Sequence, residues 1–394
     1  MEIIDEILTR GVANIIPSKE ELKEVLLSGR KLNIYLGIDP TANKIHLGHA
    51  VPLRKLQQFA DFGHHVTFLI GDFTSLIGDT SDKESERPIL TKEEIEQNFK
   101  DYKRQAEKIV DFSKIIIRYN SEWLSQLTLE DIIRLSRHFS VGDFINRELI
   151  RKRLQEGKRV RLDEMLYPIM QGYDSYYMDT DLQLGGTDQT FNMQAGRTLQ
   201  RNLRGKESFI MTNEFLEGTD GRKMSKSWGN AIWLDDEPEE MYTKVMAIPD
   251  NLIIKYFTLA TNTPIEEIAK IEESLQKGAH PMSIKKTLAF TIVSELHTPE
   301  EAAYAQKQFE RIVQKGELPS EITEVKIAVK KYIDEDLLVD LKLASSKSEA
   351  KRLFQQGGVE YDGRRILDPA EAVLIQDGKI LKVGKRKIVK LRIN

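Results

Sequence analysis

The chain has 394 residues and a mass of 45.3 kDa, is 40% hydrophobic and 30% charged, and has mean hydropathy −0.41. These are ordinary globular proportions at a length that suits two or three domains. The absence of cysteine excludes disulfides, thiolate-bound zinc, iron–sulfur clusters and thiol catalysis, and suits a reducing cytoplasm. No apolar run reaches the roughly 18 residues of a membrane span, and the early acids Glu2, Asp5 and Glu6 do not suit a secretory signal. The net charge of −4 hides an asymmetry: residues 325–394 hold 16 Lys and Arg against 10 Asp and Glu, a net of +6, which leaves −10 for residues 1–324. A basic tail on an acidic body fits a nucleic-acid-binding module attached to an enzyme, and equally a basic surface that is merely solvated.

In chain order, short β-branched runs predict strands at Leu32–Ile38, Val66–Ile70, Lys114–Tyr119 and Ser208–Thr212, with a weaker one at Leu182–Leu184. Between them, helical spacing at Leu53, Leu56 and Ala60, and over Glu94–Ile109, reads as βαβ units. A parallel sheet follows, with ligands beyond the carboxyl ends of its strands. From Pro238 to Val313 the pattern is helical, with Pro249, Pro264, Pro281 and Pro299 near helix starts. Lys315–Ser320 reads as a linker. Beyond it, Ser346 and Glu349 have capping-box spacing for a helix that ends at Gly357-Gly358. Asp362-Gly363 is a tight-turn signal between Val359–Tyr361 and Arg364–Ile366, and Lys379–Asn394 alternates like a strand.

Two motifs carry chemistry. In His46-Leu47-Gly48-His49 the imidazoles are three apart, so on a helix they share a face. At a helix start they join free N–H groups and the positive dipole end, which suits phosphate, while Gly48 would let a ligand approach the backbone. Capping histidines or half of a zinc site have the same spacing, although no third ligand is evident and no protein metal site is expected. Far downstream, Lys223-Met224-Ser225-Lys226-Ser227, flanked by Gly221 and Gly229, describes a mobile cationic loop able to close over polyphosphate. An exposed basic turn would look the same in isolation.

Together these motifs resemble the two signatures of the class I aminoacyl-tRNA synthetases. Tyr35–Thr41, Leu76–Asp79, Tyr167–Asp174 and Leu182–Gln189 are similar to segments of the tyrosyl-tRNA synthetase branch. The C-terminal unit resembles the S4-like RNA-binding domain of bacterial members. The resemblance implies an α/β fold with a Rossmann-like parallel-sheet catalytic domain over residues 1–232, including a helical insertion. A helical anticodon-binding domain over 233–318 and a small α+β S4-like domain over 325–394 would follow. It implies L-tyrosine activation by ATP and transfer to tRNA(Tyr), with Mg2+ accompanying the ATP phosphates, in a cytoplasmic homodimer whose interface is a helical insertion near Leu127–Leu154.

By the same resemblance, Tyr35 and Asp174 bind the phenolic hydroxyl, both being able to hydrogen-bond it. Asp79, Tyr167 and Gln171 bind the ammonium, Gln189 meets the carboxylate, and Asp39 also belongs to the tyrosine site. The four- and three-residue spacing of Tyr167, Gln171 and Asp174 also places them on one helical face. Gly185, Gly186 and Asp188 would hold the ATP ribose. Thr41, His46, Gly48, His49, Lys223, Met224, Ser225 and Lys226 would surround the triphosphate, and Lys83 and Arg87 the departing pyrophosphate. The chain departs from many relatives at Asp82, where glycine is frequent. Lys347, Lys351, Arg352, Arg364 and Arg365 are the RNA-binding candidates. The competing expectations are the tryptophanyl branch, which shares both signatures, a synthetase-like RNA-binding scaffold without catalysis, and a stand-alone nucleotidyltransferase.

Overall fold

The computed structural model describes residues 2–41, 43–78, 90–315, 322–327, 332–344, 346–384 and 387–393. The chain divides into two compact units, Met1–Thr298 and Pro299–Asn394.

The first unit is built on a six-stranded sheet: β1 (Val12–Ile16), β2 (Asn33–Ile38), β3 (His65–Ile70), β4 (Ile116–Tyr119), β5 (Leu182–Gly186) and β6 (Phe209–Asn213). Their order is β1-β6-β5-β2-β3-β4. Ile34, Leu36, Val66, Phe68, Leu182 and Leu184 are all buried, as near-continuous apolar runs are in strands covered on both faces. Strands β2 to β6 pair in parallel, in agreement with the sequence reading. The chain adds β3 and β4 on one side of β2, then returns to place β5 and β6 on the other. A switch point therefore opens between the carboxyl ends of β2 and β5, the usual ligand position in such sheets.

Strand β1 departs from expectation: it pairs antiparallel with β6 and shifts register between Val12 and Asn14. Its residues alternate irregularly between exposed and buried, so the run lacks the period-two signature of a half-buried strand.

The helix Leu47–Asp61, here the histidine helix, buries Leu47, Ala50, Val51, Leu53, Leu56 and Phe59. Between β4 and β5 lie Ser121–Leu124, Leu129–Ser136, Val141–Ile145, Glu148–Gln155 and the long helix Leu162–Tyr177. A buried bidentate pair, Arg153 Nη1 and Nη2 to Glu164 at 2.6 and 3.1 Å, fastens this insertion. Removing one partner would strand a buried charge, which is strongly destabilising. After the sheet come Pro238–Met246, Ile253–Ala260, Ile265–Gln276 and Pro281–Leu296. Pro238 and Pro281 open their helices and Pro264 is an N-cap. A first-turn proline loses no hydrogen bond there.

The second unit begins with the helix Pro299–Phe309. It also holds a five-stranded sheet, β7 (Thr323–Ile327), β8 (Val359–Tyr361), β9 (Arg364–Ile366), β10 (Ile380–Val383) and β11 (Lys387–Ile393), in the order β7-β11-β10-β8-β9. Two helices, Glu335–Asp340 and Lys347–Gln355, help enclose a core that includes Leu338, Phe354, Val359, Leu381 and Leu391. Ser346 caps its helix by accepting from the Glu349 N–H at 3.2 Å. Asp362 and Gly363 both take positive φ, 48° and 85°, as a two-residue hairpin turn requires. The alternating C-terminal run divides into β10 and β11. Strand β7, parallel to β11, was not anticipated, and most of the expected linker lies outside the described residues.

Candidate active site

A cleft of about 650 Å3 opens at the switch point and is lined by the ends of β2, β3 and β5, the start of the histidine helix and the loop after β6. Of the expected tyrosine, ATP and catalytic residues, Tyr35, Asp39, Thr41, His46, Gly48, His49, Tyr167, Gln171, Asp174, Gly185, Gly186, Asp188, Gln189, Lys223, Met224, Ser225 and Lys226 all line it. Asp79, Lys83 and Arg87 lie outside the described residues.

The floor is buried and hydrogen-bonded throughout. Asp174, 2% exposed, accepts from Trp123 Nε1 at 2.7 Å and from Asn120 Nδ2 at 3.1 Å. Burial pushes its carboxyl up to about 8, against the lowering effect of these two donors, while Asp39 and Asp72 raise it further. Tyr35 donates its hydroxyl to Gln183 Oε1 at 3.1 Å, and burial, then Asp174, raise its phenol above the usual range. Asn120 also donates to Thr74 Oγ1 at 3.0 Å. Thr74 donates to Asp39 Oδ1 at 2.8 Å, and Tyr167 donates to Asp39 Oδ2 at 2.9 Å. Asp39 thus orients Tyr167 and ties β2 to the turn after β3. Gly71 makes room for that junction: a Cβ there would lie 2.1 Å from Asp39 Oδ1 and 2.4 Å from Thr74 Oγ1.

The phosphate-suited end is built differently. His46 is the N-cap of its helix, with no side-chain capping bond, and its ring stacks on His49 at 3.7 Å between centroids. The shared helical face is therefore realised, and Nδ1 of His46 is buried without a protein partner. Gly48 serves this stack directly, since a Cβ there would lie 3.0 Å from His46 Nδ1. Burial, then His49 and Lys223, hold His46 down near 2. His49 opens to the cleft, yet desolvation by the walls and Lys223 lower it to about 4 against the pull of Asp188. Both rings are neutral at pH 7, each with one N–H to donate. Across the mouth, Lys223 Nζ stands 3.7 Å from Asp188 Oδ1. Gln189 donates to Asp188 at 3.2 Å and accepts from Asn192 at 3.1 Å.

The lysine loop has a buried internal fastener. Asn230, 2% exposed, accepts from the Ser225 N–H at 2.9 Å. It donates to Asp220 Oδ1 at 2.7 Å and to the carbonyls of Arg222 and Lys223. Gly218 is required beside it, because a Cβ there would lie 2.4–2.6 Å from Asn230 atoms. Lys223 and Lys226 themselves are exposed.

Sequence reasoning missed Asn120, Trp123, Gln183, Thr74 and Asn230. Two signals were present: Gln183 is a polar residue within an apolar strand, and Asn120 directly follows the carboxyl end of β4. In the second unit, the candidates Lys347, Lys351 and Arg352 lie on one helix and Arg364 and Arg365 on β9. Lys347 pairs with Asp336 at 2.6 Å and Arg364 with Glu371 at 2.7 Å.

Residues 27–314 match the family model of class I tRNA synthetases (W and Y), and residues 335–380 match the S4 domain. The chain is 46% identical over 388 residues to the tyrosine–tRNA ligase of Thermotoga maritima, covering 98% of this chain and 96% of that one. It is 44% identical over 390 residues to the tyrosine–tRNA ligase of Dehalococcoides mccartyi, covering 98% of each. Among solved structures, a C-terminally truncated mitochondrial tyrosyl-tRNA synthetase of Aspergillus nidulans aligns with TM-score 0.66 and 23% identity, over 78% of this chain and 93% of that one. The tyrosyl-tRNA synthetase of Archaeoglobus fulgidus complexed with L-tyrosine aligns with TM-score 0.60 and 23% identity, over 77% and 99%. Both share the fold. No helix among the described residues is long and apolar enough to cross a membrane.

Proposed function

The chain belongs to the class I tRNA synthetase family of the tryptophan and tyrosine branches, and from that membership we infer that it is a tyrosine–tRNA ligase. The tyrosine carboxylate attacks the α-phosphorus of ATP and pyrophosphate leaves. The tyrosyl group is then transferred to the 3′-terminal adenosine of tRNA(Tyr), with AMP released. No side-chain nucleophile takes part, so catalysis is positioning and electrostatics.

The observation that carries the reading is a buried carboxylate, Asp174, in the same cleft as a stacked histidine pair. In our assignment the substrate phenol meets Asp174 and Tyr35, its ammonium meets Tyr167 and Gln171 with Asp39 behind Tyr167, and Gln189 faces its carboxylate. The ribose lies against Gly185, Gly186 and Asp188. Thr41 and the N–H groups of His46 and His49 face the phosphates, and the loop lysines neutralise charge as the pyrophosphate departs. Lys83 and Arg87 remain assigned to that leaving group and Asp79 to the ammonium. Magnesium would arrive on the ATP phosphates, which with water supply its ligands. No group of three potential protein ligands occurs among the described residues.

We place the chain in the cytoplasm as a homodimer, and the surface of the insertion supports the self-association. Leu129, Val141 and Leu162 are 77%, 77% and 82% exposed, and Ile133, Ile145 and Leu154 are exposed on the same insertion. A concentration of apolar side chains in one segment marks an interaction surface. The basic faces of the second unit, together with the helical region from residue 233, are assigned to tRNA. Amino-acid-dependent exchange of pyrophosphate into ATP tests the whole reading. Exchange is expected with tyrosine; exchange with tryptophan alone would move the chain to the other branch, and no exchange would leave an RNA-binding scaffold.

A further inference from the structure

Strand β5 carries a polar side chain between two buried leucines. Gln183 is 0% exposed and sits between Leu182 and Leu184. It is the register partner of Tyr35 across β2 and β5, so both side chains leave the same face of the sheet. Tyr35 lines the cleft, whereas Gln183 itself does not. A buried amide needs both space and hydrogen-bond partners. Gly196 gives the space: a Cβ there would lie 2.7 Å from Gln183 Oε1 and 2.9 Å from its Nε2.

The two partners of the amide fix its orientation. Nε2 donates to the Met193 carbonyl at 2.9 Å, and a carbonyl oxygen can only accept. Oε1 is therefore turned to the Tyr35 hydroxyl, 3.1 Å away, and an amide oxygen likewise only accepts. The one hydrogen of that hydroxyl is thus given to Gln183, although Asp174 and Gln171 also stand near it. What Tyr35 has left for the cleft is lone pairs. Turning the hydrogen toward a ligand would strand a buried amide oxygen, at a cost of about tenfold or more in affinity.

Resting on the placement of the substrate phenol against Tyr35 and Asp174, we propose that Gln183 is a positioning residue for substrate selectivity. It holds the Tyr35 hydrogen away from the cleft, so that Tyr35 accepts a hydrogen from the para substituent instead of donating one. Tyr35 then selects for a donor on the substrate ring. A phenol has such a donor, and so has an aryl amine, whose nitrogen is a poor acceptor because its lone pair is drawn into the ring. 4-Aminophenylalanine therefore separates the two senses. A Tyr35 that accepts favours this analogue as it favours tyrosine, whereas a Tyr35 that donates favours tyrosine alone.

The test is exchange of pyrophosphate into ATP with tyrosine, 4-aminophenylalanine and phenylalanine, each rate taken relative to phenylalanine. It is run on the full-length wild type, Gln183→Met, Gln183→Glu, Tyr35→Phe and the double variant Gln183→Met/Tyr35→Phe. The wild type is expected to prefer 4-aminophenylalanine to phenylalanine by about tenfold or more. Gln183→Met and Tyr35→Phe should each cut that preference by about tenfold. The double variant should lose no more than Tyr35→Phe alone, because one residue acts through the other. Gln183→Glu, kept neutral by burial, can still donate to Met193 and accept from Tyr35, so it should retain the preference. If Gln183→Met does not fold, Tyr35→Phe and Gln183→Glu decide. With tyrosine exchange intact, a preference that is absent, survives Tyr35→Phe, disappears in Gln183→Glu or falls additively in the double variant would overturn the role of Gln183. Exchange with tryptophan alone, or with no amino acid, would instead bring down the tyrosine reading and this role with it.

Discussion

The two ends of the catalytic cleft are made in opposite ways. At the floor, Asp174, Asn120, Trp123, Thr74, Asp39 and Tyr167 form one continuous hydrogen-bonded chain before any substrate arrives. At the mouth, Lys223 and Lys226 are exposed, and His46 keeps a buried nitrogen unpaired. In the proposed assignment a preorganised floor would read a small difference, the presence of one hydroxyl, because a wrong ligand leaves buried groups unmatched. A loosely held cationic mouth suits charge that appears only in the transition state, where binding energy raises the rate rather than the affinity.

The sharpest way to break this contrast is Asp174→Ala, which strands the Trp123 and Asn120 donors and removes the acceptor for the phenol. With about 1–3 kcal/mol for each stranded group, kcat/KM for tyrosine-dependent exchange should fall by about 10³-fold or more. Equilibrium dialysis should show unchanged ATP binding; normal tyrosine activation would remove Asp174 from the pocket. Lys223→Ala attacks the other end and should lower kcat by roughly 10²–10³-fold while the tyrosine KM holds. A comparable rise in KM would mean that the lysine binds the ground state.

Asn230→Ala probes the fastener behind that lysine, with an expected loss of about tenfold in kcat from misplacement and no change in preference for tyrosine over phenylalanine. A change in that preference, read from the ratio of exchange rates, would make the two ends one unit. In the second unit, Arg352→Glu should flatten the salt dependence of tRNA charging by about one charge and leave pyrophosphate exchange untouched. Loss of exchange would place this residue's role elsewhere.

A separate readout of the floor is stability. The Asp174 carboxyl, at about 3.9 in an unfolded chain, is held near 8 in the fold. Between those values the folded chain keeps a proton that the unfolded chain has released. Stability therefore falls as pH rises through that window and levels off above it. Urea midpoints should decline from pH 5 to pH 8.5, and Asp174→Asn should flatten the decline. The same variant also leaves one of two donors unmatched, because an amide has one oxygen where the carboxylate has two.

The sheet was legible in the sequence because β2, β3 and β6 are apolar runs between helical spacings, with β5 the weaker signal. Strand β1 was not, since an edge strand with a shifted register has no strict alternation to read. The cleft residues could be named from their motifs, yet their supports could not. Nothing near Asn120 or Trp123 in the chain announces that both donate to a carboxylate more than fifty residues later. Such pairings are set by which strand ends lie side by side. Gly48 shows the same limit: read as room for a ligand, it also makes room for the His46 imidazole, which its motif did not announce.

Gly71 has a consequence for redesign. Because a Cβ at Gly71 would lie 2.1 Å from Asp39 Oδ1 and 2.4 Å from Thr74 Oγ1, the pocket cannot be reshaped from that point of the backbone. Laboratory evolution toward unnatural phenol analogues is thereby channelled to Tyr35, Asn120, Trp123 and Asp174. Mutant libraries that randomise position 71 would return mostly inactive clones whatever analogue is supplied.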